Sequence, residues 1–348
     1  MNSEEKSKNL FFSVGEPSGE LHARFLVDEL SKSPCLHTKI SSFPPPSMGY
    51  LEVLKNYHSI NEHFHKIFSQ LERNPLDTYI FIDFSTFHLK LLERIQNLNL
   101  KIIYYIPPKI WAHGSHRLPV LQKTVSEIIS IFPFEKDFFP EIPYSYFGNP
   151  LVDHIRDLPT QSRKGLCILP GSRPQEVYGH LDLFMKALTL LKRRGIQYSP
   201  VYCPLPLSWM SHGLSEKDYP GITFSYGDSL EKMKSSEIGW VCSGTATLEA
   251  VAAKLPIMCI YKTHFINSLI AKSLLKVPYI SLPNLIAHFH GFPPCISELL
   301  QPDPQQIVFE SLRLYEFKEE ISQKYDTILN LFPKGSLKRI ADHLEHQN

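Results

Sequence analysis

Apolar runs of strand length recur along the chain, at Leu10–Val14, Tyr79–Ile82, Ile102–Ile106, Ile128–Phe132, Leu166–Leu169 and Ile257–Tyr261. None alternates strictly between apolar and polar positions, so each reads as a strand covered on both faces. Between several of them the apolar residues return at helical spacing, over Leu21–Leu30, Phe87–Leu98, Val177–Leu191 and Thr245–Ala253. Alternation of this kind predicts parallel sheets, because each helix carries the chain back across the sheet before the next strand begins.

The series breaks between Gly148 and Arg163, where Asn149, Pro150, Asp157, Pro159 and the polar residues 160–163 read as a linker. A second α/β series begins at Leu166. From Pro304 the pattern is helical, with Ile307, Leu312, Tyr315 and Ile321 apolar among charges and a last helix after Gly335. The expected fold class is α/β, with two Rossmann-like, doubly wound domains facing a cleft at the carboxyl ends of their strands, and C-terminal helices. The expected boundaries are 1–155, 156–303, and 304–348 for helices packing back across both domains.

Composition supports that layout and removes several function classes. A chain of 348 residues suits two cores of roughly 150 residues each. A hydrophobic fraction of 43% and a charged fraction of 20% lie outside the range of disordered chains. The formal net charge of +1 gives no bulk attraction to nucleic acid, and none is expected as a partner. Cys35, Cys167, Cys203, Cys242, Cys259 and Cys295 form no close pair and read as reduced, mostly buried thiols. No apolar stretch reaches the roughly 18 residues a membrane span needs, which predicts a cytosolic or peripheral protein. No Cys/His cluster has metal-ligand spacing, and the histidines form no HExxH pair.

Four stretches carry candidate chemistry. The first strand runs into Gly15-Glu16-Pro17-Ser18-Gly19-Glu20 before a helix, which reads either as an open turn for a phosphate or sugar or as a tight turn capped by Ser18. Asp83, directly after Tyr79–Ile82, is expected at the carboxyl end of a buried strand. Apolar surroundings there would raise its proton affinity toward that of a useful base, although a helix cap fits the spacing equally well. His88 reads as a residue on the exposed face of the next helix. Pro170-Gly171-Ser172-Arg173 with Glu176 suits a diphosphate, or else a solvated arginine on a turn. In Ser243-Gly244-Thr245-Ala246-Thr247-Leu248-Glu249, small hydroxyl residues and a glycine open a helix, and Glu249 could reach a ribose diol; an ordinary capped helix is the alternative. Phe265, Leu269, Ile270 and Leu274 among Lys262, Lys272 and Lys276 read as a core stripe with a lysine rim, or as a basic membrane-facing element.

Taken in order, these stretches resemble the lipid-A-disaccharide synthase family from about Phe11 to Leu300. The family's Gly-Glu-Ala-Ser-Gly-Asp turn corresponds to Gly15–Glu20, its Met-Gly-x-x-Glu-Val-Leu to Met48–Leu54, and the first aspartate of its Ile-Asp-Ala-Pro-Asp-Phe to Asp83. Its Tyr-Tyr-Val-Ser-Pro-Ser-Val-Trp-Ala is similar to Tyr104–Ala112. Then follow Phe132–Glu135, Leu169–Arg173 with Glu176, Ser243–Glu249 and Lys276–Asn284. The resemblance implies the GT-B architecture and an inverting transfer of 2,3-diacylglucosamine from UDP to the 6-hydroxyl of 2,3-diacylglucosamine 1-phosphate, with no metal and no cofactor. It implies that Asp83 is the base and that the donor is held by Arg173, Glu176, Ser243, Gly244, Thr245, Thr247, Glu249 and Asn284. Glu16, Ser18, Gly19 and Trp111 would belong to the acceptor side. Because both substrates carry acyl chains, it also implies a peripheral enzyme on the cytoplasmic face of the inner membrane; some family members are dimers.

The sequence departs from the family at Thr86, His113 and Asn149, which stand for an aspartate, a tryptophan and a histidine. Residues 41–47 replace a glycine-rich stretch, and residues 288–294 stand where the family has Gly-Arg-Glu. Two other readings remain: a GT-B enzyme with a different lipid-linked acceptor, and a catalytically weak paralogue that binds acylated sugar phosphates or proteins.

Overall fold

Every apolar run singled out above contains a strand of a parallel sheet in a computed structural model, which describes residues 8–15, 17–34, 36–42, 57–73, 76–112, 114–159, 161–262 and 277–347. The chain divides into two compact units, residues 1–150 with 332–348 and residues 151–331.

The first unit contains β1 (Lys8–Val14), α1 (Pro17–Leu30), β2 (Leu36–Ser42), α2 (Tyr57–Arg73), β3 (Thr78–Ile82), α3 (Ser85–Ile95), β4 (Ile102–Tyr105), α4 (Leu118–Thr124), β5 (Glu127–Ser130) and β6 (Tyr144–Tyr146). Its sheet has the order β2-β1-β3-β4-β5-β6, and every neighbouring pair is parallel. Phe11, Tyr79, Phe81 and Tyr104 from the strands and Leu91, Leu92 and Leu121 from the helices form one buried cluster. The covered strands have no room for a polar face, which is why their sequence does not alternate.

The second unit contains β7 (Leu166–Leu169), α6 (Pro174–Arg193), β8 (Val201–Leu205), β9 (Thr223–Tyr226), α7 (Ser229–Ser235), β10 (Ile238–Cys242), α8 (Ala246–Ala252), β11 (Ile257–Tyr261), α9 (Leu282–Phe289), β12 (Ser297–Leu300), α10 (Pro304–Glu316) and α11 (Lys318–Leu329), preceded by α5 (Pro150–Asp157). Its sheet, β12-β11-β10-β7-β8-β9, is also parallel throughout. Cys167, Cys203, Cys242 and Cys259 are buried free thiols on its strands.

The expected linker over Gly148–Arg163 is partly structured, because Val152 and Ile155 give α5 a buried face. The C-terminal helices also divide between the units. Helices α10 and α11 pack in the second unit, where Trp240 Nε1 donates to Ser311 Oγ at 3.0 Å and the Ile257 N–H to the Tyr325 hydroxyl at 3.0 Å. The last helix, α12 (Ser336–His346), belongs to the first: Lys8 Nζ donates to the Leu344 carbonyl at 3.3 Å, and Glu127 meets His343 Nε2 at 2.8 Å. Among the described residues no helix is long and apolar enough to cross a membrane.

Candidate active site

A doubly wound sheet opens a crevice at the carboxyl ends of its strands where the order of connection reverses. In the first sheet the reversal lies between β1 and β3, and in the second between β7 and β10. Both places carry the motifs read from sequence. Pairing of Val14 with Ile82 sets Gly15 and the start of α1 beside Asp83, and pairing of Leu169 with Val241 sets the Gly171 turn beside the stretch that begins at Ser243.

Asp83 is partly buried and stands on an unusual backbone. Asp83 and Phe84 have φ of 51° and 49°, a left-handed pair of non-glycine residues that costs on the order of 1–3 kcal/mol per residue. Surrounding bonds hold it. The Asp83 N–H donates to the Tyr105 carbonyl at 3.1 Å, and the Asp83 carbonyl accepts from the Tyr104 hydroxyl at 2.9 Å and from His88 Nδ1 at 2.8 Å. Gly15 is required here, since a Cβ on it would lie 2.2 Å from the Phe84 ring. Gly19 is packed against Val14 and the Asp83 Cβ. Ser18 Oγ donates to Asp83 Oδ2 at 3.2 Å, so the hydroxyl that the tight-turn alternative made a helix cap serves the carboxylate. Burial raises the Asp83 pKa, against the Lys109 charge, the Ser18 hydroxyl and the Phe84 N–H, which favour the ionised form.

His88 is a correction to the sequence reading: it is fully buried, stacked on Phe81 at 4.6 Å, rather than exposed. Trp111 is also interior. Its Nε1 donates to Glu135 Oε1 at 2.7 Å, while Ser130 Oγ donates to Glu135 Oε2. Burial lifts the Glu135 pKa to about 7, opposed by Ser130, Trp111 and Lys109. Sequence reasoning assigned no role to Lys109 or Glu135, although both fall in stretches that carry the family resemblance; the signal was an unassigned charge beside an aromatic. Glu16 lies outside the described residues, as do Met48–Leu54 and residues 263–276.

In the second unit, Gly171 has φ 112°, and a Cβ on it would lie 2.8 Å from Glu176 Oε2. Only glycine lets Glu176 fold back against the turn. Arg173 Nη1 donates to Glu176 Oε1 at 3.0 Å, with the arginine half exposed, and Trp209 Nε1 steadies the turn through the Ser172 carbonyl at 2.9 Å. An exposed guanidinium held by a carboxylate at the start of a 20-residue helix is a fitting counter-charge for a diphosphate.

Residues 243–249 come together only in part. Ser243 Oγ donates to the Ile280 carbonyl at 2.7 Å, and the buried Thr247 donates to the Gly244 carbonyl at 2.8 Å. Of the three hydroxyls, that of Thr245 is on an exposed residue, next to Gly244, whose φ of 153° leaves open space above the backbone. Glu249 is partly buried with no side-chain partner among the described residues, and burial raises its pKa to about 7. Asn284 is placed differently from the expected nucleotide contact. It is buried, its Nδ2 donates to the Ile296 carbonyl and to Glu298 Oε1 (both 2.8 Å), and its Oδ1 accepts from the Cys295 and Ile296 N–H groups (2.9 and 3.0 Å). Every donor and lone pair is used, so its amide ties α9 to β12. Among the described residues no group of three His, Cys, Asp or Glu could hold a metal ion.

A sequence profile of one family, lipid-A-disaccharide synthetase, matches residues 45–336. The chain belongs to that family. A lipid-A-disaccharide synthase of Persephonella marina is 29% identical, with 96% of this chain and 98% of the relative covered. Another, of Psychromonas ingrahamii, is 32% identical over 69% of this chain and 68% of its own. Two solved structures share the fold. A UDP-GlcNAc 2-epimerase from Neisseria meningitidis bound to UDP-GlcNAc has a TM-score of 0.62 at 13% identity, covering 98% of this chain and 100% of its own. A spinosyn rhamnosyltransferase complexed with thymidine diphosphate has a TM-score of 0.56 at 13% identity, over 97% and 100%. The two parallel six-stranded sheets and these likenesses are those of the GT-B architecture. The chain is a glycosyltransferase of lipid A disaccharide synthesis, a family whose substrates are a UDP-sugar and a sugar phosphate.

Proposed function

We propose that the chain transfers 2,3-diacylglucosamine from UDP to the 6-hydroxyl of 2,3-diacylglucosamine 1-phosphate with inversion, and that Asp83 is the general base. The observation that carries this reading is the Asp83 carboxyl at the switch point of the first sheet, with Ser18 on one oxygen and a proton affinity raised by burial. Such a carboxylate takes the acceptor hydroxyl proton as that oxygen attacks the anomeric carbon, and UDP leaves with the bonding electron pair. Arg173 supplies charge to the departing diphosphate, oriented by Glu176; the Gly244 and Thr245 backbone gives it close approach; Glu249 accepts from the ribose hydroxyls. Ser243 and Thr247 shape that loop from beneath.

The acyl chains hold both substrates in a bilayer at ~0.8 kcal/mol per CH₂. The reading therefore includes reversible docking on the cytoplasmic leaflet, through at least one of Met48–Leu54 and the lysine-bearing segment 262–276. The central experiment incubates the purified protein with the UDP-diacyl sugar and the diacyl sugar phosphate and scores disaccharide and UDP. Asp83→Asn is expected to lose at least ~10²-fold in turnover while UDP affinity is kept, since general base catalysis supplies ~10² to 10⁴. Normal turnover in that variant removes Asp83 from the mechanism.

A further inference from the structure

We propose that His88 is a positioning residue for Asp83, clamping its backbone carbonyl to β1, the strand that precedes the α1 helix carrying Ser18. The inference rests on the reading of Asp83 as the base. His88 Nδ1 lies 2.8 Å from the Asp83 carbonyl and Nε2 lies 2.9 Å from Ser13 Oγ. A carbonyl oxygen only accepts, so Nδ1 carries the hydrogen, and Nε2 accepts from the Ser13 hydroxyl. Burial pushes the His88 pKa down to about 3, which keeps the ring neutral and that tautomer in place.

The ring cannot turn away. It stacks on Phe81 at 4.6 Å with 17° between planes, and the Phe84 and Tyr104 rings stand edge-on at 5.8 Å each. Ser13 is on β1, the strand that precedes α1, and Ser18 in the first turn of α1 donates to Asp83 Oδ2. One imidazole thus joins the two neighbouring strands whose ends carry the two halves of the base: the carboxylate and the hydroxyl that orients it. The Tyr104 hydroxyl is the second donor to the same carbonyl. Together they hold the left-handed backbone at Asp83 and Phe84, which aims the Asp83 side chain. His88 has no exposed surface, so it acts through Asp83 and not on a substrate.

The test is steady-state kinetics of His88→Phe, which keeps a ring and removes both hydrogen bonds. Turnover is expected to fall on the order of 10- to 100-fold, the scale of an ångström misplacement of a catalytic group, while both KM values and UDP affinity stay near the parent's. His88→Asn, which sets an amide N–H where Nδ1–H stands, should recover most of the turnover; His88→Gln, whose amide reaches toward Ser13, should not. In an Asp83→Asn background His88→Phe should cost nothing further, because the two changes act on one group. Parent-like turnover of His88→Phe, an undiminished loss in the Asp83→Asn background, or no rescue by asparagine overturns the proposal. If the Phe variant does not fold, equal turnover of the Asn and Gln variants overturns it. Normal turnover of Asp83→Asn overturns the base assignment itself, whereas an inactive Asp83→Asn beside an indifferent His88→Phe overturns only the positioning role.

Discussion

At the scale of single residues, the two units present carboxyls in contrasting surroundings. Asp83 has a hydroxyl, an N–H and a lysine charge working against its burial, whereas Glu249 has burial alone. A ribose diol would supply Glu249 with the donors it lacks, and those donors favour the ionised form. UDP binding should therefore weaken as pH falls from about 8 to about 6, by up to ~10-fold per unit below the Glu249 pKa, because the proton must be lost first. Titration calorimetry across that range is the check, and Glu249→Gln should bind weakly at all pH values. The variant should be no less stable than its parent at the alkaline end. A carboxyl whose folded pKa is raised from 4.5 to about 7 keeps a proton that the unfolded chain releases, so its contribution to stability declines as pH rises through that window. Pronounced pH dependence retained in Glu249→Gln would assign the effect to another group.

Single elements show which motif residues are taken up in building the fold. Asn284 sits in the first turn of α9 and reads in sequence like a ligand contact, but its four hydrogen bonds all run to residues 295–298. Asn284→Ala would leave the buried Ile296 N–H and the half-buried Cys295 N–H without their side-chain acceptor, at ~1–3 kcal/mol for the buried group. Thermal melting is expected to shift down by several degrees, at about 2–4 °C per kcal/mol for a unit of this size, with UDP affinity largely retained in protein that is folded. An unchanged melting temperature with lost UDP binding would return Asn284 to the ligand. Edge position also explains four of the strands that the apolar pattern passed over, though not the central β8 and β10. Strands β2, β6, β9 and β12 lie at the sheet edges, and the described side chains of β6, β9 and β12 are half-buried or exposed. Without two covered faces they need no uninterrupted apolar run, so His37, Thr38 and Lys39 on β2, or Thr223 and Ser225 on β9, give no strand signal.

For the whole molecule, the acyl chains of the proposed substrates and the net charge of +1 set opposite expectations for a bilayer. Bulk charge gives almost no attraction, so docking has to come from local segments: apolar Met48, Tyr50, Leu51 and Leu54, and Lys262, Lys272 and Lys276 at about 1 kcal/mol per lysine on anionic lipid. Sedimentation with anionic vesicles at low salt should carry the protein down. Leu51→Ser with Leu54→Ser, and separately Lys272→Glu with Lys276→Glu, should each reduce that fraction while UDP binding is kept. A parent protein that ignores such vesicles rules out the docking surface and points to a soluble acceptor or a partner.

The sequence by itself determined the class of fold, because strands covered on both faces must be written as apolar runs, and helices between them impose parallel order. It also determined where chemistry could sit: glycines at φ 112° and 153°, Gly171 and Gly244, are local requirements that a linear pattern displays. Only the tertiary structure decided which side chains of those motifs are available. The Thr247 and Ser243 hydroxyls are taken up by backbone groups and the Asn284 amide by backbone groups and Glu298, Trp111 faces Glu135, and His88 lies beneath Asp83. Those outcomes depend on hydrogen-bond partners 3 to 75 residues away in the chain, as with Ser13 and His88. Local spacing encodes only the nearest of them, since a buried polar atom takes whichever partner the packed fold sets beside it.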